Sequence, residues 1–296
     1  MDRRQTFEDL LRVKVPDFKT ATVHRCRRRL GSLVFQALQE RSSELAQEAY
    51  DEALDLPHTE TEHILSIDGF TLNGQWTNGN PNFIIAYKES VVYLLKILNE
   101  KEALSGLDLQ IKLRRTGEQN EFLVPFEIRR VVSSRRVANA MIMPLYGSSL
   151  EPCPRLGIAT GQKLFSQIAS ALHSIHACEL QHMDIKPANI CMRENGDFVL
   201  IDLGSVISLG SYSLSTTVYL PRDYQVHRSA PNRYQATEVH DWLMLGMTIA
   251  EKVYSVPVGT TKPSPTFDEL ISILRTDYAF DELILLCQQN EECRFR

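Results

Sequence analysis

Asp184, Lys186 and Asn189 fall within one short run, HMDIKPANI over residues 182–190, and Asp202 follows in Ile201-Asp202-Leu203-Gly204-Ser205. Side chains of these types suit transfer of a phosphoryl group from a nucleotide to a hydroxyl. That reaction asks for little covalent chemistry from the protein. It needs a carboxylate to orient and deprotonate the acceptor, and oxygen ligands for Mg²⁺. Asp184 is the candidate base, and Asn189 and Asp202 are the candidate metal ligands. Lys186, two residues beyond the base, neutralises charge on the migrating group. Single aspartates are more often loop or turn carboxylates. Here the helical pattern before His182 and the strand pattern before Asp202 both agree with the catalytic reading.

The elements that must position these groups are legible as periodicities. Leu164, Ile168, Leu172 and Ile175 recur on one face of a helix ending near Ala177, which delivers the chain to His182. Asn195-Gly196 is a turn signal, and Phe198 to Ile201 reads as a short buried strand leading to Asp202. Trp242 to Val253 is apolar nearly all round, as expected of a helix buried in the middle of a lobe. Upstream, Phe83 to Lys88 and Val91 to Lys96 are β-rich runs separated by Glu89-Ser90, a hairpin pattern. Gly74 and Gly79 lie just before it. Thr20 to Leu54 has the spacing of a long amphipathic helix, with Val23, Cys26, Leu30, Leu33 and Ala37 on one face, and Leu56-Pro57-His58-Thr59 breaks it. Strands first and helices later predict an α+β protein.

Bulk properties narrow the class. Hydrophobic residues at 43% and charged residues at 23% are ordinary for a globular chain. A net charge of -5 argues against nucleic acid as a partner, because phosphate-backbone binding needs a basic surface. The basic stretch at His24–Arg29 sits within the helical pattern and reads as a solvated face. The six cysteines form no CxxC pair or zinc spacing, which fits free thiols in a reducing compartment. No apolar run has the roughly 20 residues of a membrane span, and the start of the chain lacks the apolar core of a signal peptide. No membrane association is expected, and an intracellular location, cytoplasmic or nuclear, is.

The central motifs resemble those of eukaryotic-type Ser/Thr protein kinases. HMDIKPANI is similar to the catalytic loop HRDxKxxN, with Lys186-Pro187 as in the Ser/Thr type, and Ile201 to Ser205 is similar to the DFG motif in its DLG form. Met141 to Gly147 resembles the strand and hinge facing adenine, which gives Met143 and Leu145 as contacts. Asp241 to Gly246 resembles the segment whose aspartate braces the catalytic loop. Ser215 to Pro221 resembles the end of the activation segment and contains Thr216 and Thr217, with Thr216 matching the threonine that contacts the catalytic Asp and Lys. The resemblance covers about residues 66–255. It implies ATP and Mg²⁺ as cofactors and a protein substrate. It also implies a two-lobed α+β protein-kinase-like fold over 66–296, preceded by an N-terminal helical extension over 1–65. The strand-rich N-lobe would occupy about 66–146, and the helical C-lobe, shortened at its end, about 147–296. The N-terminal helix packs on the small lobe, dimerises or meets a partner.

By order along the chain, the resemblance makes Lys96 the phosphate-anchoring lysine, with Lys88 as competitor. The helix acid expected to hold it is Asp108; Glu102 is set aside as too near in sequence to Lys96. The loop from Gly74 to Gly79, expected over the phosphates, lacks the middle glycine of GxGxxG. Met183 replaces an arginine that in relatives pairs with activation-segment phosphate, so order in this segment is expected not to require phosphate. Arg222 stands where a glutamate is usual. The hydroxyls from Ser205 to Thr217 are phosphosites or a polar loop, and His173 and His176 read as packing residues rather than metal ligands. Two other functions stay open: a pseudokinase acting as a nucleotide-binding scaffold, and a small-molecule phosphotransferase on the same fold.

Overall fold

A computed structural model describes residues 64–66, 70–75, 83–88, 91–117, 120–133, 137–213, 218–224, 234–258 and 263–289. The expected helix over 20–54 lies outside them, as do Gly79, Thr216 and Thr217. The chain forms two units. The first runs to Arg114 and includes Pro125–Leu145; the second comprises Arg115–Val124 and everything from Tyr146 onward. Strands dominate the first unit and helices the second, the α+β arrangement the sequence predicts.

In the first unit six strands form one antiparallel sheet: β1 (Ile64–Ser66), β2 (Thr71–Gln75), β3 (Phe83–Lys88), β4 (Val91–Leu98), β5 (Glu127–Ser133) and β6 (Val137–Pro144). Their order is β1-β5-β6-β4-β3-β2. The β3–β4 hairpin pairs Phe83 with Lys96 at one end and Lys88 with Val91 at the other. Period-two alternation puts Ile84, Ala86, Leu95, Ile97, Ala140 and Ile142 on one face, where they form a buried cluster with Phe70 and Tyr93 packed against it. Each fully buried aliphatic side chain contributes roughly 1.5–3 kcal/mol. A one-residue slip would therefore be costly, and the register is fixed. It leaves Lys96, opposite Met141, on the other face, which a helix covers.

That helix, α1 (Glu100–Thr116), follows β4 with only Asn99 between them. Asn99 and Glu102 form a reciprocal cap at its start: the Glu102 N–H donates to Asn99 Oδ1 at 2.9 Å, and the Asn99 N–H donates to Glu102 Oε2 at 3.0 Å. Gly106 lets the helix lie close on the sheet. A Cβ there would come within 2.7 Å of Ile128 Cδ1 and 3.1 Å of Met141 Cε. A glycine in mid-helix costs about 1 kcal/mol of propensity, less than displacing a buried strand side chain.

The second unit is built on α3 (Glu238–Tyr254), whose residues Val239 to Ala250 are all buried. Around it pack α2 (Ile158–His176), α4 (Phe267–Leu274) and α5 (Asp281–Gln288). Leu164, Ile168, Leu172 and Ile175 of α2 are fully buried, the face that the spacing predicts. α2 and α3 approach closely at Gly161, where a Cβ would meet Val253 Cγ2 at 2.5 Å. Among the described residues no helix is long and apolar enough to cross a membrane.

Short ladders complete this unit. β8 (Ile190–Met192) pairs with β9 (Phe198–Leu200) through the turn containing Gly196, whose φ of +77° is the left-handed conformation glycine tolerates. β7 (Leu180–Gln181) pairs with β10 (Ile207–Ser208), and β11 (Tyr212–Ser213) with β12 (Tyr234–Gln235). Main-chain bonds flank the last join, from the Gly210 N–H to Ala236 O and from the Ala236 N–H to Ser211 O, at 2.9 and 2.8 Å. The segment after Asp202 is thus clipped to the chain on both sides by peptide groups.

Candidate active site

The β8–β9 hairpin explains how two residues distant in sequence are placed together. Asn189 immediately precedes β8 and Asp202 closely follows β9, and the Ile201 N–H donates to Asn189 O at 2.9 Å. Asn189 then reaches back into the preceding loop. Its Nδ2 donates to Asp184 O at 2.8 Å and to Asp184 Oδ2 at 2.7 Å. Lys186 Nζ donates to both Asp184 oxygens, at 3.0 and 2.8 Å. The Asp184 carboxylate is therefore held by one cation and one amide, and Asn189 keeps its amide oxygen for another partner. Asp202 has φ +58° and accepts from the Gly204 N–H through Oδ1. Aspartate is among the few non-glycine residues enriched in this conformation.

Behind the loop lies a fully buried carboxylate, Asp241 of α3. It accepts the His182 N–H at 2.8 Å, the Met183 N–H at 2.7 Å and His176 Nε2 at 2.9 Å. Burial pushes the Asp241 carboxyl upward, but the His176 hydrogen bond, the neighbouring His176 and His182 rings and the Met183 N–H outweigh it, so the group is held below the ordinary carboxylate value. Met183 is buried with φ +64°, a strained value for a methionine. The Asp241 bond to its N–H holds it there. His182 donates through Nε2 to Ile201 O at 3.2 Å while its Nδ1 accepts the Asp184 N–H at 3.3 Å, which assigns the Nε2–H tautomer and ties the loop to the strand before Asp202.

His173 and His176 both pack against Trp242, with ring centroids 5.1 and 5.2 Å away. His176 is more than packing, however, since it supplies the side-chain donor to Asp241. Nothing in its sequence spacing points to a partner 65 positions away. Downstream, the Tyr219 hydroxyl donates to Glu251 and Asp223 Oδ1 accepts the Phe267 N–H, docking residues 218–224 on α3 and α4. Arg222 lies 3.6 Å from Glu269.

In the first unit Lys96 Nζ lies 3.0 Å from Glu102 Oε1, and neither side chain is more than a quarter exposed. The expected acid, Asp108, does not take this place. It pairs instead with Lys112, one turn further along α1 at 3.0 Å, and its Oδ1 is buried without a hydrogen bond. The reason is the sharp reversal after Leu98. It brings the first turn of α1 beside the end of β4, so an acid six positions on is within reach. Asp108 lies six residues further along the helix, about 9 Å at 1.5 Å per residue. Lys88, at the hairpin end, sits 5.6 Å from the Phe70 ring. Lys96→Ala is expected to lower nucleotide-dependent activity by roughly 10²-fold, the cost of one lost charge-stabilising group, with Lys88→Ala close to wild type. A side-by-side assay in which Lys88→Ala is the inactive variant would reverse the assignment.

Met143 is buried in β6, and the Leu145 N–H donates to Val92 O at 3.0 Å. Gly74 sits where the β2–β3 register shifts, between Leu72 and Gln75, as glycines at strand irregularities often do.

Comparisons with known proteins agree with this geometry. Residues 147–282 match the family model described as protein kinase domain. The citron Rho-interacting kinase of Mus musculus is 26% identical over 152 residues, 45% of this chain but 7% of its own length. The serine/threonine-protein kinase TOS3 of Saccharomyces cerevisiae is 21% identical over 280 residues, 82% of this chain and 50% of its own. The chain thus spans at most half of either relative. Among solved structures, the Cydia pomonella granulovirus kinase PK-1 superposes with a TM-score of 0.56 at 15% identity, covering 76% of this chain and 90% of that one. The fold is that of a protein kinase. Residues 147–282 resemble the protein kinase domain, and the curated relatives that the chain matches are kinases.

Proposed function

We propose that this chain is an ATP- and Mg²⁺-dependent Ser/Thr protein kinase. The observation that carries the reading is the β8–β9 hairpin, which joins Asn189 to Asp202 while the loop before it ties Asn189 to Asp184 and Lys186. The donor chemistry fits the metal. With its Nδ2 committed to Asp184, Asn189 offers an amide oxygen, and Asp202 offers a carboxylate, the hard ligands Mg²⁺ prefers. When bound, Mg²⁺ neutralises charge on the nucleotide phosphates. Asp184 orients the acceptor hydroxyl and takes its proton, and Lys186 balances charge beside it. Lys96, held by Glu102, anchors phosphate oxygens. Met143 and Leu145 contact the adenine, the stretch from Gly74 to Gly79 covers the phosphates, and Thr216 and Thr217 belong to the activation segment that receives the protein substrate. The Ser/Thr kinases among the relatives support a protein hydroxyl as acceptor.

The test pairs a thermal shift with ATP, with and without Mg²⁺, and transfer of labelled phosphate to a generic Ser/Thr protein substrate. Wild type is expected to show a Mg²⁺-dependent shift and transfer, and Asp202→Asn to lose the Mg²⁺-dependent increment. Equal Mg²⁺ stabilisation of the ATP-bound variant would move the metal role to other residues. Binding without transfer in wild type would leave a nucleotide-binding scaffold as the function.

A further inference from the structure

We infer that Asn99 is a positioning residue for Lys96. The Glu102 carboxylate has two oxygens with two separate duties. Oε2 accepts the Asn99 N–H at 3.0 Å, and Oε1 meets Lys96 Nζ at 3.0 Å. The Asn99 side chain closes the ring by accepting the Glu102 N–H at 2.9 Å, and Asn99 O accepts the Ala103 N–H. The helix cap therefore fixes both the backbone from which Glu102 projects and the rotation of its carboxylate. The oxygen left over is the one that faces the lysine.

A consequence follows from where the acid sits. Lys96, Asn99, Glu102 and Ala103 belong to one continuous stretch spanning the end of β4 and the first turn of α1. An acid in the middle of a helix meets its lysine only when the whole helix is correctly placed. Here the pair forms with the cap itself, and its geometry depends on eight consecutive residues. The local chain, through Asn99, orients Glu102 toward Lys96.

The consequence for nucleotide binding rests on the proposed role of Lys96, so the test separates the two. In the full-length chain without nucleotide, site-resolved labelling of lysines by trinitrobenzenesulfonate, read by peptide mass spectrometry, reports the reactivity of Lys96. Lys112 and Lys163 serve as internal references. Asn99→Gly removes the side-chain acceptor with a residue that helix starts tolerate well, and Asn99→Ser restores an acceptor. Asn99→Gly is expected to speed Lys96 labelling roughly three- to tenfold, the scale of a weakened charge-assisted contact. Glu102→Gln should do the same, the double variant should be no faster than Glu102→Gln alone, and Asn99→Ser should label at the wild-type rate. Unchanged Lys96 labelling in Asn99→Gly beside faster labelling in Glu102→Gln overturns the inference and leaves Asn99 as a helix cap only. ATP·Mg²⁺ affinity is measured on the same proteins. Faster labelling with weaker ATP binding supports both the positioning and the phosphate-anchor role of Lys96. Faster labelling with unaltered ATP binding supports the positioning and removes the anchor role.

Discussion

Asp184→Asn is expected to lower phosphoryl transfer by roughly 10²–10⁴-fold, the usual worth of a positioned general base, while ATP affinity changes little. Asparagine keeps the shape of the side chain and one acceptor oxygen. Lys186 or Asn189 can still donate to that oxygen, and the loop keeps the bonds that its His182 and Met183 N–H groups donate to Asp241. What is lost is the group that accepts the hydroxyl proton. In its place stands an NH₂ facing two donors that formerly shared a carboxylate. Single-turnover transfer with ATP in excess, alongside an ATP titration, separates chemistry from binding. Transfer at the wild-type rate would remove Asp184 from the role of base.

The second large effect is expected from Asp241→Ala. Asp241 is fully buried and accepts two main-chain N–H groups and one histidine. Without it the His182 and Met183 N–H groups and His176 Nε2 face an apolar interior. Deleting one member of such a buried set typically costs about 3–5 kcal/mol, a large share of a total stability of roughly 5–15 kcal/mol. Denaturant titration should show that loss as a lower midpoint. Transfer activity should fall further than the folded fraction does, because the Asp241 contact also holds Met183 at its positive φ and so aims the following Asp184. A midpoint within experimental error of wild type would deny Asp241 this role. The pH dependence has a defined sign. A carboxyl held below its ordinary value of 3.8 gives its full contribution above that value and loses it only as the pH falls through the lower, folded one. The stability gap between wild type and Asp241→Ala should therefore be constant near neutrality and close only in strong acid.

The grouping of Asp184, Lys186 and Asn189 was legible because reactive side-chain types fall there at short spacing, and the structure brings the three together. The α2 face and the β3–β4 hairpin were legible for a related reason, since their burial repeats with the period of the element. The partner of Lys96 was not. Distance along the chain made Glu102 look too near, yet a strand that turns straight into a helix places residues six apart side by side. The pattern Asn99-x-x-Glu102 directly after a strand is a capping signal, and it marked where α1 begins. His176 was legible only in part. Its packing on Trp242 could be expected from its place on a helix, but its bond to Asp241 depends on how α2 crosses α3, which no local pattern encodes.

The β11–β12 join belongs to a third category, a pairing of peptide groups. The Met183 side chain has no donor to offer a phosphate. The described part of the segment after Asp202 is instead held through peptide groups, at Leu180–Gln181, at Tyr234–Gln235 and at Ala236. Peptide groups are the same in every residue except proline. The main-chain bonds of the β11–β12 join therefore constrain its four positions only by excluding proline where an N–H is needed. These main-chain bonds form as the chain folds, and no added phosphate is needed to supply their donors or acceptors.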